Sequence, residues 1–435
     1  MARTVSRRRL VRSLGGALAL GAISTSIGPA NAAGHVAPFV AGRKQQGAGG
    51  ASERPPSSEG SPTPESSAGT EGEPDPGVAP SPEASPSGAP GSSSAAATRT
   101  AAPVPDTASN VWAATTTQFA IPASVADIPP RVYVPHELGG DVAVIDPLSM
   151  QIVDRFAVGR TPHHVAPAWD FSLLYVNVMD SNLLTVIDPR AGRPIGQIPV
   201  PVPYNLYFSP DGTKAIVAAE RFNRLDFFDP RSWAPLARVQ IPGSGVDHLD
   251  FSADGSYLMV GCEFGGQVVK VDVHAMAVAG VMRSNRLPVD IKLAPDGRHF
   301  FVCDQGRGGV SVIDPDAMQE VGFVPTRAGC HGLAISRDTR ALYVANRLGG
   351  TISVIEFASF GVATEWVVGG SPDMLQVSPD GQQLWYSNRN HGTVSVVDTN
   401  TGGTIATIRT GAAPHGLTYF PQQGRYSLGH NGVYR

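Results

Sequence analysis

The sequence predicts an all-β fold, a seven-bladed β-propeller of four-stranded repeats, preceded by a Pro/Ser/Gly-rich segment. Short strands alternate with turns such as Ser209-Pro210-Asp211-Gly212, in which proline presets φ, aspartate accepts from backbone N–H groups and glycine takes positive φ. Regular short strands at a period near 40 residues are typical of propeller blades. Acidic residues that end a β-branched run recur at spacings of 42, 41, 43, 42, 42 and 42 residues: Asp146, Asp188, Asp229, Asp272, Asp314, Glu356 and Asp398.

The two ends of the repeat region do not match the repeat boundaries. The first repeat begins with its second strand near Arg131, whereas an innermost-type strand, Pro414-His415-Gly416-Leu417, stands alone at the end. We expect this strand to complete the first blade, because closing the ring removes an exposed sheet edge. Residues 426–435 resemble another second strand without a third, and we expect them either to cover the channel mouth as a lid or to fray.

Two strands carry a recognisable family signature, Tyr343-Val344-Ala345-Asn346 and Tyr175-Val176-Asn177. Over residues 131 to about 420 the chain resembles the YVTN-repeat, YncE-like propellers. The resemblance implies a non-enzymatic binding propeller as the default. Related propellers include quinoprotein dehydrogenase subunits, haem-bearing reductases, copper enzymes and lactonases, some of which use ring histidines.

The N-terminal region predicts export. Residues 1–32 resemble a twin-arginine signal peptide: Ser6-Arg7-Arg8-Arg9-Leu10 precedes an apolar stretch and the small residues Ala30-Asn31-Ala32. An ordinary secretory signal is the alternative. No later stretch approaches the roughly 20 apolar residues that span a bilayer. We therefore expect an extracellular, cell-wall or periplasmic protein.

The chain between the signal and the repeats is low in large apolar residues. Residues 33–110 are rich in Pro, Ser, Gly and Ala and bury too little surface to offset their ordering entropy, so we expect a disordered stalk. A lead-in at 111–130, the propeller at 131–425 and a tail at 426–435 follow.

Composition excludes some functions. The net charge of −4 does not favour nucleic acid as a partner, because such proteins usually carry a clustered basic face. Three cysteines allow one disulfide at most, and both a Cys262–Cys303 link and burial as free thiols stay open. No Cys-x-x-Cys-His haem site or Gly-x-Ser-x-Gly nucleophile motif occurs, so no catalytic residue is identified.

Candidate site residues follow from aligning the repeats. Innermost strands line the channel of a propeller, and their starts share a face with the ends of the second strands. The metal-ligand candidates at these positions are His163, His164, His248, His331 and His415. The candidates for a ligand-binding rim are His136, Asn205, Asp247, Asp290, Asp304, Arg347, Asp373 and Arg389.

Imidazole and carboxylate groups on one channel mouth suit copper, zinc or iron. Alternatively, these side chains only bond to water and to one another. Three functions therefore remain at this level: a secreted or cell-surface module binding a protein, a small molecule or an envelope ligand through its channel face; a metal- or cofactor-dependent oxidoreductase or hydrolase; and a structural module of the cell wall.

Overall fold

The computed structural model describes residues 110–284 and 287–435. The expected signal peptide and nearly all of the expected stalk, residues 1–109, lie outside this part of the chain. Within the described part, no helix has the length and apolar character that crossing a membrane requires.

The regular secondary structure of the described residues consists of short 3-10 helices at Ala113–Thr115, Met179–Ser181 and Glu220–Phe222, and of β-strands. In chain order the strands are β1 Arg131–His136, β2 Asp141–Asp146, β3 Gln151–Ala157, β4 Pro162–Pro167, β5 Leu174–Val178, β6 Leu183–Asp188, β7 Arg193–Pro199, β8 Asn205–Phe208, β9 Ala215–Ala219, β10 Arg224–Phe228, β11 Pro235–Gln240, β12 Val246–Phe251, β13 Tyr257–Cys262, β14 Gln267–Asp272, β15 Ala277–Arg283, β16 Pro288–Leu293, β17 Phe300–Asp304, β18 Gly309–Asp314, β19 Gln319–Pro325, β20 Cys330–Ile335, β21 Ala341–Asn346, β22 Thr351–Glu356, β23 Gly361–Val367, β24 Pro372–Val377, β25 Gln383–Asn388, β26 Thr393–Asp398, β27 Thr404–Arg409, β28 Thr418–Phe420, β29 Ser427–Gly429 and β30 Val433–Tyr434.

These strands form seven antiparallel sheets, one per blade, which confirms the predicted seven-bladed propeller. The first blade has the order β28-β1-β2-β3, and the next six begin at β4, β8, β12, β16, β20 and β24. Burial decreases from the channel outwards: every residue of β4 is buried, whereas all of β7 but one residue is exposed. The apolar faces of neighbouring blades pack on one another, as Phe227 of the third blade and Phe251 of the fourth do in one core cluster.

The ring closes as predicted. Strand β28 pairs with β1, aligning Phe420 with Arg131 and Thr418 with Tyr133. A further bridge joins Pro414 to His136. The last innermost strand therefore belongs to the first blade and joins the two ends of the ring.

The C-terminal tail takes neither of the two placements expected from its sequence. Strands β29 and β30 form a hairpin that pairs with the channel side of β8, with Gly429 opposite Tyr207. Ser427, Leu428 and His430 are each at most 1% exposed. The tail fails to act as a lid or to fray because it extends the third blade inwards, where strand pairing and burial both stabilise it.

Candidate metal centre at the channel mouth

The histidines reach the channel because most innermost strands begin with an irregularity in pairing. The partners of β4 jump from Pro162 to Val165, which leaves His163 and His164 outside the ladder. The same jump occurs at the start of β12, β16, β20 and β24. A bulge of this kind redirects side chains, so two consecutive residues of one strand can both face the channel.

Glycine provides the space for this arrangement. At Gly416, beside His415, a β-carbon would lie 2.6 Å from His164 Nδ1 and would also collide with Asn431 Oδ1. Any larger residue there would displace the His164 ring. A glycine at this position is therefore part of the site.

Three predicted ligands come together. The ring centroids of His163 and His415 lie 5.0 Å apart, and those of His164 and His415 lie 4.7 Å apart. One nitrogen from each of the three rings lies within 4.8 Å of the others. Tetrahedral zinc with bonds of about 2.0–2.1 Å places its ligand nitrogens roughly 3.3–3.4 Å apart, so the rings would have to move closer together around an ion.

Hydrogen bonds orient two of these rings. His415 Nδ1 lies 2.7 Å from Asp373 Oδ2, and His164 Nδ1 lies 3.0 Å from Asn431 Oδ1. Each Nδ1–H donates to the facing oxygen, so the lone pair of each ring is on Nε2. Both Nε2 atoms are buried, and neither has a hydrogen-bond partner among the residues that the structure describes. A carboxylate or amide oxygen behind a histidine is the usual support of a metal ligand.

A second group contains His164, His248 and His430. Here the amide nitrogen of Asn205 lies 2.7 Å from His430 Nδ1, while Asn205 Oδ1 accepts from the Leu206 N–H. His430 Nδ1 is thus an acceptor, and its proton is on Nε2. His430 therefore has no free lone pair for a metal. His164 has a single free lone pair, so it can serve only one of the two groups, and the group with His163 and His415 is the better site.

The clustered histidines are neutral at pH 7. Burial lowers the pKa of His163 to about 3 and that of His248 to about 4. Burial also lowers the pKa values of the other four rings well below the usual range: His164, His331, His415 and His430. Nearby Arg389 lowers the pKa of His163 further, and Lys292 that of His248, while Asp373 and Asp290 oppose these shifts. Neutral imidazole is the form that binds a metal.

A second group of charged side chains stands at the first residue after five of the seven second strands: Glu137, Glu220, Glu263, Arg347 and Arg389. Glu137 Oε1 lies 3.3 Å from His163 Nδ1, and its other oxygen pairs with Arg389. Burial raises the pKa values of Glu137 and Glu263 to about 7. Sequence reasoning missed both glutamates, although they hold the same register as the predicted Arg347 and Arg389.

Some of the remaining predicted residues lie beside the group of His163, His164 and His415, and the others lie elsewhere. His331 Nδ1 lies 3.0 Å from Asp373 Oδ1, with its ring 5.6 Å from that of His415. Arg347 pairs with Asp373, so it is not a free anion-binding group. Despite burial, the positive charges of Arg347 and Arg389 hold the pKa of Asp373 below its usual value.

Other rim candidates support the strands around the channel. Asp247 Oδ1 accepts from the His248 N–H, and Asp290 pairs with Lys292 at 2.8 Å. Two candidates hold turns instead. His136 Nδ1 bonds to Asp141 at 2.6 Å, and Asp304 Oδ1 accepts from the N–H groups of the loops beside it.

The cysteines are all free and buried. Cys303 and Cys330 lie in one core cluster, and Cys262 lies in another. Cys330 Sγ donates to Gly309 O at 2.9 Å. The Cys262–Cys303 link left open by the sequence is therefore absent, because the two side chains pack in different inter-blade cores.

The fold has distant structural relatives. Hydrazine synthase of Kuenenia stuttgartiensis is 20% identical with a TM-score of 0.55, covering 63% of this chain and 96% of its own. Dihydro-heme d1 dehydrogenase NirN in complex with DHE is 16% identical with a TM-score of 0.53, covering 67% and 75%. A functionally unknown protein from Desulfotomaculum acetoxidans DSM 771 is 14% identical with a TM-score of 0.58, covering 66% and 98%. Identities this low show a shared fold only.

No curated protein matches the chain. Residues 95–425, about three quarters of the sequence, match the family described as YNCE-like beta-propeller. Together with the seven closed blades, this match shows that the chain belongs to the YncE-like β-propeller family.

Proposed function

We propose that this protein is an exported propeller that binds one transition metal ion, copper, zinc or iron, through His163, His164 and His415. The observation that carries the proposal is a pair of buried Nε2 atoms, on His164 and His415, in a group of three clustered imidazoles. Within residues 110–284 and 287–435, neither atom has a hydrogen-bond partner. Leaving buried polar atoms unpaired costs roughly 1–3 kcal/mol each. A metal ion would offset that cost.

Three protein ligands leave a fourth coordination position for water or substrate, as in catalytic zinc sites. Glu137 lies beside these histidines, with its buried Oε1 3.3 Å from His163 Nδ1. This arrangement favours a metal-dependent oxidoreductase or hydrolase over a purely structural ion. The class of reaction at the open position depends on which ion the protein takes up.

The experiment is a metal analysis of the mature protein recovered from its export route. We expect about one equivalent of copper, zinc or iron per chain, measured by elemental mass spectrometry, and its loss in His164→Ala and His415→Ala. His274→Ala is the matched control, because His274 is exposed in a surface turn. A wild-type protein that holds no metal, and takes up neither Cu²⁺ nor Zn²⁺ nor Fe²⁺ in titration, would overturn the proposal.

We also propose export by the twin-arginine route, which carries folded proteins. Ser6-Arg7-Arg8-Arg9-Leu10 supports it. Replacing Arg7 and Arg8 together with Lys should retain the precursor inside the cell. Continued export of that variant would favour the ordinary secretory route instead.

A second candidate function is docking of a protein partner on the same face. Leu138, Phe264 and Leu348 follow the inward-facing first residue of their turns and are 81%, 63% and 74% exposed. Exposed apolar residues repeated around one face are typical of an interaction surface. We expect substitution of all three by Ser to abolish retention on the native cell envelope. Leu148→Ser with Ile195→Ser, equally exposed positions outside these turns, should leave retention unchanged.

A further inference from the structure

Two side chains of the C-terminal hairpin, His430 and Asn431, contact the His164 ring, and Asn431 is the one that bonds to it. We propose that Asn431 is a positioning residue of this centre, which fixes the His164 ring in the tautomer whose free lone pair is on Nε2. The inference rests on the proposed function, since it concerns how the same site is built. It assigns a role to a segment that lies outside the repeat pattern.

The contact between Asn431 and His164 fixes one tautomer. Asn431 Oδ1 lies 3.0 Å from His164 Nδ1, and the two residues are 4% and 0% exposed. A carbonyl oxygen only accepts, so with the amide in this orientation Nδ1 carries the proton and Nε2 carries the lone pair. In the opposite tautomer two lone pairs would face each other in a buried site.

Asn431 is itself held firmly. Its φ of 49° lies in the left-handed region, which asparagine tolerates better than most residues. The turn is closed by Gly432 N–H to Gly429 O at 2.9 Å and Val433 N–H to His430 O at 3.1 Å. His430 N–H donates to Leu206 O of the third blade at 2.9 Å. The side chain therefore approaches His164 from a fixed backbone.

The same design recurs at the second ligand, where Asp373 Oδ2 accepts from His415 Nδ1 at 2.7 Å. Asp373 belongs to a blade and is fixed by its neighbours Arg347 and His331. Asn431 supplies the corresponding support for His164 from the tail. Loss of such an outer partner typically weakens metal affinity 10- to 100-fold.

The test compares Zn²⁺ affinity, by competition with a chromophoric chelator, in three variants of the mature chain. Asn431→Gly keeps the left-handed backbone and removes the acceptor, so we expect binding 10- to 100-fold weaker. Asn431→Asp keeps an oxygen that only accepts, so we expect affinity equal to wild type or tighter. Ser427→Ala removes a hairpin hydrogen bond to Pro167 O, away from the histidines, and should leave affinity unchanged.

The outcomes separate this inference from the proposed function. Wild-type affinity in Asn431→Gly, with binding lost in His164→Ala, would overturn the positioning role and leave the metal centre standing. Absence of Zn²⁺, Cu²⁺ and Fe²⁺ binding by the wild type would overturn both. If circular dichroism shows that Asn431→Gly is unfolded, Asn431→Asp becomes the test of the inference. Weaker Zn²⁺ binding than wild type in that variant would refute the inference.

Discussion

Arg435 fixes the end of the hairpin inside the ring, and its replacement by Met should destabilise the protein. The guanidinium is 1% exposed and lies 2.7 Å from Asp250 Oδ1. It also donates to Ser252 O at 3.1 Å and to Phe251 O at 2.9 Å, and lies over the Trp112 ring. Methionine of similar length would keep much of the packing and remove every one of these donors.

The magnitude follows from the charge left behind. Removing one partner of a buried ion pair costs about 3–5 kcal/mol. Asp250 keeps two backbone donors, Leu293 N–H at 2.7 Å and Phe251 N–H at 2.8 Å, which partly satisfy the buried carboxylate that has lost its partner. We therefore expect the lower end of the range, about 3 kcal/mol.

Urea unfolding followed by tryptophan fluorescence measures this loss, with the slope checked for a change in two-state behaviour. Arg193→Met is the matched control: its pair with Asp154 is 2.9 Å long, but the Arg193 side chain is 70% exposed. An exposed pair contributes about 0–1 kcal/mol. Equal losses in the two variants would show that burial of the Arg435 pair does not stabilise the hairpin.

Three further predictions follow from closure and burial. Deleting residues 411–435 removes β28 and the hairpin and exposes the edge of β1, so the cooperative thermal transition should disappear; a variant that still melts in one sharp step would contradict ring closure. Burial raises the pKa of Cys262 to about 12 and that of Cys303 well above its usual range, so native protein at pH 8 should resist a thiol reagent that labels all three cysteines in guanidinium. The metal-free protein should lose stability in acid, because His163 and His248 have pKa values of about 3 and 4 when folded and about 6.5 when unfolded. Between these pKa values the unfolded chain binds more protons than the folded chain. The free energy of unfolding should therefore fall by about 2 kcal/mol per residue between pH 7.5 and 5, which is measured as a falling urea midpoint. An unchanged midpoint would mean that these rings are hydrated in the folded state.

The repeat spacing alone predicted much of the architecture. A blade is built from neighbouring strands joined by short turns, so its signal is local and repeats with the chain. The unpaired strand around His415 predicted closure for the same reason. Equal positions in equal blades also lie on one ring, which is why His163, His164, His248, His331 and His415 could be grouped before any distance was known.

The register of the ring was harder to predict than its existence. His136 and Asp304 end their strands, whereas Glu137 and Arg389 begin the turn that follows. A shift of one residue along the chain therefore changes a side chain that holds a turn into one that faces the channel mouth. Alignment of the repeats did not separate these two positions, and Glu137 and Glu263 were therefore missed.

The sequence by itself determined the blades, their number, their closure and the histidine-rich end of the channel, because each depends on a pattern repeated along the chain. Only the tertiary structure decided that His430 and Asn431 lie inside the ring, since the tail has no repeat to align with. It also decided the tautomers of His164 and His415, which depend on oxygens of Asn431 and Asp373, residues far away in the sequence or in another blade. A hydrogen bond between distant segments forms only after the ring has closed, so no local pattern encodes it.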